Sequence, residues 1–195
     1  MEIDPQIREK ILDAAEERFR HYGFAKTTMA ELASDCDMSA GNLYRYFESK
    51  EDIGVSIARR CMMSLDGICR EVAERTDIGP LEKLATMIHE MSAENRRRFE
   101  CDTKLDELVN HVHDKHYATV KSLMLGFVTH IASVLEEGVH TGEIATDDPG
   151  ETALDILYAG KGVVDPASIM RMSEDEFERR IKGITRLIIE GVRAR

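Results

Sequence analysis

The sequence has 195 residues, of which 43% are hydrophobic and 32% charged, and this composition fits one globular domain or one domain with a small appendage. Its formal net charge of −11 excludes a generally basic protein that binds nucleic acid without regard to sequence. A small DNA-reading head on an acidic body remains compatible with that charge. Uninterrupted apolar runs are only a few residues long, so we expect neither a membrane span nor a signal peptide.

The four cysteines, at positions 36, 61, 69 and 101, contain no C-x-x-C pair. This spacing indicates neither a zinc ribbon nor a thioredoxin-like redox site. Free thiols in a reducing compartment are the expected state, which predicts a cytoplasmic protein. No motif calls for a cofactor.

Helix signals begin at the N-terminus with Asp4-Pro5, an N-cap followed by proline at the first helical position, and the helix ends at Gly23. The capping box Thr28-x-x-Glu31 starts a short second helix. Ser39 caps a third helix, and Ser49-x-x-Asp52 caps a long fourth one. Three short helices with tight turns therefore precede one long helix.

The rest of the chain carries the same kind of helix start signals. Helices are predicted to start at Gly79-Pro80, Asp148-Pro149 and Ser173-x-x-Glu176, with one or two more between residues 102 and 140. No β-alternation, repeat or low-complexity tract is present. The predicted fold class is all-α, with a three-helix head followed by a larger helical bundle.

The second and third helices, joined by a tight turn between Asp35 and Ser39, form a helix-turn-helix pattern. Residues 38–47 contain no acid, and the basic side chains of Lys26, Arg45 and Lys50 surround them. The head as a whole is less acidic than the remainder, because residues 1–60 hold nine basic and twelve acidic side chains. This window is where we expect a polyanion contact, with the third helix in a major groove.

Several residues of the window suit DNA. Gly41 allows the backbone to approach closely, and Asn42 suits an adenine edge or a neighbouring phosphate. Tyr44 and Tyr46 offer hydroxyls to phosphates, although each is also compatible with simple packing. Lys50 stands at the start of the fourth helix, where free amides and the helix dipole favour a phosphate.

The runs Thr27–Ala33 and Met38–Ile53 resemble the head of TetR-family repressors, covering about the first quarter to third of the chain. The pattern S-x-G-x-L-Y-x-Y-F-x-S-K-E, with a Thr pair upstream, is specific to that family. One departure lies in the turn, usually Ala-Gly-Val, which reads Cys36-Asp37-Met38. Because aspartate tolerates left-handed geometry better than most residues, we expect the turn to form.

The resemblance implies a cytoplasmic homodimer that binds a near-palindromic double-stranded DNA operator and usually represses, with recognition helices about 34–36 Å apart. It implies a DNA-binding domain over residues 1–50 and a helical ligand-binding and dimerisation domain over residues 51–195. Helices around residues 150–163 and 174–193 would form the dimer interface, with Ala153, Gly160 and Gly191 allowing close approach. An activator, or a DNA-binding protein with no ligand, would use the same head. The implied DNA contacts are Thr28, Ser39, Gly41, Asn42, Tyr44, Tyr46 and Lys50.

An unknown small-molecule effector is expected inside the bundle. Methionine adapts to varied apolar surfaces, and the chain has ten methionines, which favours an apolar or amphipathic molecule. The same side chains at helical spacing are also typical of an ordinary core. The candidate lining residues are Met62, Met87, Met91, Phe99, Met124, Phe127 and Tyr158.

Two alternatives concern chemistry. Asp102, Asp106 and His113 fall on one helical face and are weak candidates for a divalent metal site, which would make the protein a metal-responsive repressor. A helical-bundle enzyme with two carboxylate-bridged irons needs two inward Glu-x-x-His pairs, whereas the sequence has only Glu137-x-x-His140. We therefore expect no enzymatic activity and no bound metal.

Overall fold

The computed structural model describes residues 4–99 and 104–195 of the chain, and within them the regular structure is helical, with one isolated antiparallel bridge between Ile144 and Arg193. The all-α class predicted from the sequence is confirmed. The helices are α1 (Pro5–Tyr22), α2 (Met29–Asp35), α3 (Ala40–Leu43), α4 (Lys50–Ala73), α5 (Pro80–Phe99), α6 (Leu105–Lys115), α7 (Tyr117–Thr141), α8 (Pro149–Val164), α9 (Pro166–Ile169) and α10 (Glu174–Val192).

Helix starts follow the capping signals of the sequence. The Asp4 carboxylate accepts a hydrogen bond from the Gln6 amide at 2.8 Å, and proline follows at the first helical position. Asp148 and Ser173 cap α8 and α10 in the same way, each accepting from the amide three residues later. These caps satisfy amides that have no partner inside the helix.

One short helix lies outside the sequence prediction. Asp165 caps α9 through its carboxylate, which accepts from the Ser168 amide at 3.1 Å, and Pro166 takes the first helical position. This is the same Asp-Pro signal that starts α1 and α8, so the sequence contained the information. The interval between residues 104 and 141 holds two helices, α6 and α7.

The turn between α2 and α3 forms as expected, with Asp37 at the position where the family usually has glycine. Asp37 has a φ of 53°, and it is the one non-glycine among the described residues with a positive φ. The Met38 amide donates to the Ala33 carbonyl at 2.9 Å, which closes the turn. The short aspartate side chain tolerates the left-handed region that glycine usually occupies.

The described residues divide into two compact units, and α4 contributes to both, with the division after Cys61. The first unit contains residues 4–61 and residues 104–120, so α6 belongs with the N-terminal helices. Arg60 joins α4 to α1, because its guanidinium donates to Asp13 and Glu16 at 2.6 Å each. The side chains buried in this unit include Ile11, Leu12, Phe19, Leu32, Leu43, Phe47 and Ile53.

The second unit contains residues 62–99 and 121–195 and is a helical bundle. Helix α10 packs on α5 and α8, and α5 also packs on α8 and α9. Its main apolar cluster buries side chains from all of these helices and from α7, among them Leu84, Met87, Leu135, Ala153, Ile169 and Phe177. Burial of these side chains supplies most of the free energy that holds the bundle together.

Helix α7 differs from the rest in apolar content. Among the described residues it is the one helix long and apolar enough to cross a membrane by length and composition, and 22% of its most apolar window is buried. A single such helix is weak evidence for a membrane span, since core helices of soluble proteins meet the same criteria of length and composition.

Candidate nucleic-acid interface

Helix α3 and the turn that follows it are anchored from the inside. Leu43 and Phe47 are buried at the core of the first unit, and the Ser39 hydroxyl accepts from the Asn42 amide at 3.2 Å. The Tyr46 and Phe47 amides both donate to the Leu43 carbonyl, at 2.9 and 3.1 Å. The backbone from Ser39 to Phe47 is therefore held by internal hydrogen bonds and by two buried side chains.

The outward face has the character expected of a groove-reading surface. Tyr44 is 53% exposed, whereas Asn42 and Tyr46 are half-buried. Gly41 is exposed, and a Cβ placed on it would meet nothing within 4 Å, so its lack of a side chain is not needed for internal packing. The open space at Gly41 is compatible with the close backbone approach predicted from the sequence.

Thr28 is occupied by the capping box that starts α2. Its amide and its hydroxyl both donate to the Glu31 carboxylate, at 2.8 and 2.7 Å, and the Glu31 amide donates back at 3.3 Å. These hydrogen bonds lower the pKa of Glu31, with Arg18 at 3.4 Å adding to the effect. The only hydroxyl hydrogen of Thr28 is therefore donated within the protein.

The side chain of Lys50, the first residue of α4, reaches the turn that joins α1 to α2. Its ammonium donates to the carbonyl oxygens of Phe24, Ala25 and Thr27, at 2.8, 3.2 and 2.9 Å. The same ammonium is 4.6 Å from the centre of the Phe24 ring, within cation–π range. The phosphate contact implied for Lys50 stays a prediction, and in this structure the side chain binds backbone.

Helix α6 contacts the same turn. The Ala25 amide donates to the Glu107 carboxylate at 3.1 Å, and the His111 ring lies 4.8 Å from that of Phe24. A Cβ on Gly54 would be 2.8 Å from Leu108, so this glycine lets α6 approach α4 closely. Sequence reasoning missed these residues, because nothing in the local pattern of α6 indicates which helix it packs on.

The candidate effector residues fall into three groups. Met87 and Met91 line an apolar cavity of about 20 Å³ in the bundle, together with residues of α7 and α8. Met62, Met124 and Phe127 pack instead around buried Cys69, in a neighbouring cluster that also includes Met91.

The other two candidate effector residues lie apart from that cavity. Phe99 is buried at the end of α5, whereas Tyr158 is 60% exposed. The structure thus brings the methionines together but places Tyr158 on the surface of α8.

The metal candidates are only partly described. Asp102 and the side chain of Asp106 lie outside the described residues, and His113 is exposed beside the Tyr117 ring at 5.4 Å. Within the described part of the chain, no group of three or more His, Cys, Asp or Glu side chains is arranged to hold a metal ion.

Burial raises the pKa of the Cys69 thiol to about 12, which keeps it protonated at neutral pH.

The helix-turn-helix and its helical bundle define a class of DNA-binding regulators, and comparison with known proteins specifies the family. The model for bacterial regulatory proteins of the tetR family matches residues 11–55, and the Tetracyclin repressor-like C-terminal domain matches residues 80–185. The chain belongs to the TetR family and is a DNA-binding transcriptional repressor.

Individual relatives agree with this family assignment. The chain is 30% identical over 152 residues to the HTH-type transcriptional repressor KstR2 of Rhodococcus jostii, covering 77% of this chain and 74% of that one. It is 28% identical over 162 residues to the repressor BepR of Brucella suis, covering 80% and 78%. A transcriptional regulator structure from Cytophaga hutchinsonii shares the fold, with a TM-score of 0.73 and 22% identity over 95% of this chain and 98% of that one.

Proposed function

We propose that the first unit reads an inverted-repeat operator through α3 and that an apolar molecule in the bundle releases it. The observation that carries the DNA contact is the acid-free stretch from Ser39 to Phe47, which is anchored by buried Leu43 and Phe47 and leaves Ser39, Gly41 and Tyr44 exposed. Tyr44 and Tyr46 donate hydroxyls to phosphates, and Asn42 reads a base edge. Ser39 and Gly41 allow the backbone to come close.

Thr28 is also proposed to contact the operator backbone, but its hydroxyl must first release a hydrogen bond within the protein. Its hydroxyl hydrogen is donated to Glu31, so a phosphate is bound only if that hydrogen turns away from the carboxylate. We infer that operator binding breaks this one hydrogen bond while the capping bond from the Glu31 amide remains.

The experiment that tests operator reading is selection of genomic fragments by the purified protein at moderate salt. A short inverted repeat beside promoter elements supports the proposal, and no enrichment over background contradicts it. Asn42→Ala then changes the preferred base at one position of each half-site, whereas Tyr44→Phe weakens all sites to a similar degree. Uniform weakening by both variants would show that Asn42 does not read a base.

A second copy of the chain is proposed to cover α8 and α10. These helices pack side by side, and their outer faces expose Tyr158 at 60% and Leu187 at 66%. Of the small residues expected at this interface, Gly191 is exposed, whereas Ala153 and Gly160 are buried within the bundle; Gly162 is exposed instead, and a Cβ on Gly162 or Gly191 would meet nothing within 4 Å. Exposed apolar side chains beside small residues suit a close, self-complementary helix contact.

Light scattering tests the dimer. The wild-type protein is expected at twice 22.1 kDa, and Leu187→Glu at the mass of one chain. Leu125→Glu, at a 50% exposed site on α7, serves as the matched control and leaves the mass unchanged. A wild-type protein with the mass of one chain at micromolar concentration would rule out this interface.

The proposed effector is an apolar or amphipathic small molecule that enters the cavity lined by Met87 and Met91. At about 20 Å³ the cavity holds little more than a water molecule, so binding requires its walls to move. Flexible methionines make such movement inexpensive. Gly160 also lines the cavity and has open space where a Cβ would lie, so α8 leaves room for a guest molecule.

A thermal-shift panel led by dodecanoate and cholate tests the effector class. Ligands that raise the Tm of the wild-type protein should fail with Gly160→Leu, which fills the space beside α8. Gly67→Leu places the same side chain on a glycine with open surroundings outside the cavity and should keep the response. Equal responses from both variants would place the ligand elsewhere.

We infer further that the protein acts in the cytoplasm, where its operator is accessible, and that it catalyses no reaction. Two of the relatives it matches support the second inference, since the proteins from Rhodococcus jostii and Brucella suis are transcriptional repressors. Neither the comparisons nor the described residues favour the metal-responsive or enzymatic alternatives.

A further inference from the structure

The ammonium of Lys50 has all three of its hydrogens engaged by one turn. Its acceptors, the carbonyls of Phe24, Ala25 and Thr27, lie at 2.8 to 3.2 Å, and a lysine ammonium has three donors. A phosphate could bind the ammonium directly only by displacing one of these carbonyls. That exchange leaves a carbonyl without its charge-assisted hydrogen bond.

The turn that Lys50 binds determines where α2 begins. It runs from Gly23, which ends α1 with a φ of 89°, to Thr28, the N-cap of α2. Thr27 is buried, and its hydroxyl donates to the Gly23 carbonyl at 2.9 Å. Lys50 is the first residue of α4, so its side chain connects the start of α4 to the segment just before α2.

We propose that Lys50 is a positioning residue for operator binding, which holds the α1–α2 turn on the start of α4 and thereby sets the place of the helix-turn-helix, and that it is not a phosphate ligand. This inference rests on the proposed operator reading. Lys50 acts through Phe24, Ala25 and Thr27, and it makes no direct hydrogen bond to a phosphate.

Salt dependence separates the two roles. A phosphate contact releases counterions, so log K falls with log salt by about 0.9 per contact, and a dimer that loses two contacts has a slope smaller by about 1.8. For Lys50→Met we expect an unchanged slope and roughly 10-fold weaker binding to the selected operator fragment. Binding to a scrambled duplex of the same length should change by less than about twofold, because only specific docking depends on the position of α3.

Lys50→Arg provides the second arm. Arginine binds phosphate at least as well as lysine, but its planar fork does not match three carbonyls gathered around a compact ammonium. A positioning role therefore predicts that Lys50→Arg also binds the operator weakly. Wild-type affinity in Lys50→Arg, or equal weakening of operator and scrambled duplex in Lys50→Met with a reduced slope, would establish the phosphate role and overturn the proposal.

Hydrogen exchange on the free protein tests the same idea without DNA. Lys50→Met should speed exchange of the amides of residues 23–28 by about 10-fold or more, while the amides of α10 exchange at the wild-type rate. Lys115→Met, an exposed lysine of α6 with its own charge removed, is the matched control and should leave both regions unchanged. Unchanged exchange at residues 23–28 in Lys50→Met would refute the proposal even if no operator were found.

Discussion

Asp66 on α4 and His130 on α7 meet at a point where a glycine leaves room for them. The Oδ1 atom of Asp66 lies 3.3 Å from Nε2 of His130, and a Cβ placed on Gly126 would be 2.6 Å from that same oxygen. Gly126 is one turn before His130 on α7. The polar contact between the two helices therefore depends on the missing side chain of Gly126.

Gly126→Ala should separate Asp66 from His130, whereas Gly67→Ala has open space around it and disturbs no contact. Alanine in a helix interior is worth about 1 kcal/mol over glycine, so Gly67→Ala should raise the free energy of unfolding by up to that amount. Because the Asp66 carboxylate is the end of a flexible side chain and can turn aside, we expect Gly126→Ala to lose the contact with His130 and to retain less of this gain, by up to about 1 kcal/mol. Urea denaturation of the two variants measures the difference, and equal stabilisation would refute the steric argument.

The buried ammonium of Lys83 supports the end of α4. Only 3% of the residue is exposed, and Nζ donates to the Ala73 carbonyl at 3.1 Å and to Glu137 at 2.6 Å. Lys83→Met should lower the free energy of unfolding by about 1–3 kcal/mol, because a carbonyl at the end of α4 loses its donor. Glu137 is 42% exposed and can be solvated instead, which limits the loss.

The matched control for Lys83 is Lys182→Met. Lys182 forms a surface pair with Glu178 one turn away at 3.3 Å, with 72% of its side chain exposed. Such pairs contribute about 0–1 kcal/mol, so thermal denaturation should show little change for this variant. A loss as large as that of Lys83→Met would mean that burial does not decide the effect.

The left-handed turn at Asp37 predicts opposite results for two substitutions. Asp37→Gly removes the steric cost of a φ of 53° and should be neutral or stabilising by up to about 1 kcal/mol. Asp37→Val brings a β-branched side chain into the same region and should destabilise by about 1–2 kcal/mol. Chemical denaturation followed by circular dichroism provides both values. Stabilisation by valine would show that the turn changes its backbone.

Glu31 makes the start of α2 sensitive to acid. Hydrogen bonds from Thr28 lower the pKa of Glu31 below its ordinary value of 4.5, so the folded state favours the ionised form. The contribution of Glu31 to stability is therefore fully present above pH 4.5 and is lost as the pH falls through the lowered folded pKa. The Tm difference between the wild-type protein and Glu31→Gln should be present at pH 7 and shrink at pH 3. A difference that grows on acidification would reverse the assigned direction.

Local hydrogen bonding explains how much of the fold the sequence alone determined. The caps at Asp4, Thr28, Asp148 and Ser173 act between residues two or three positions apart. The Asp165 cap of α9, which the sequence prediction did not include, acts over the same short distance. The Thr27–Ala33 and Met38–Ile53 motifs indicated the family for the same reason, because a helix-turn-helix is built from neighbouring residues. A left-handed turn at Asp37 likewise follows from one side chain and its own backbone.

The tertiary structure decided the contacts between residues distant in the sequence. Ala25 and Glu107 are 82 positions apart, and Phe24 and Lys50 are 26 apart, so no periodicity indicates that they bind each other. The sequence likewise did not indicate that Tyr158 is exposed or that α6 packs with the N-terminal helices. An amphipathic pattern shows which face of a helix is buried, but the partner of that face depends on how all the helices pack together.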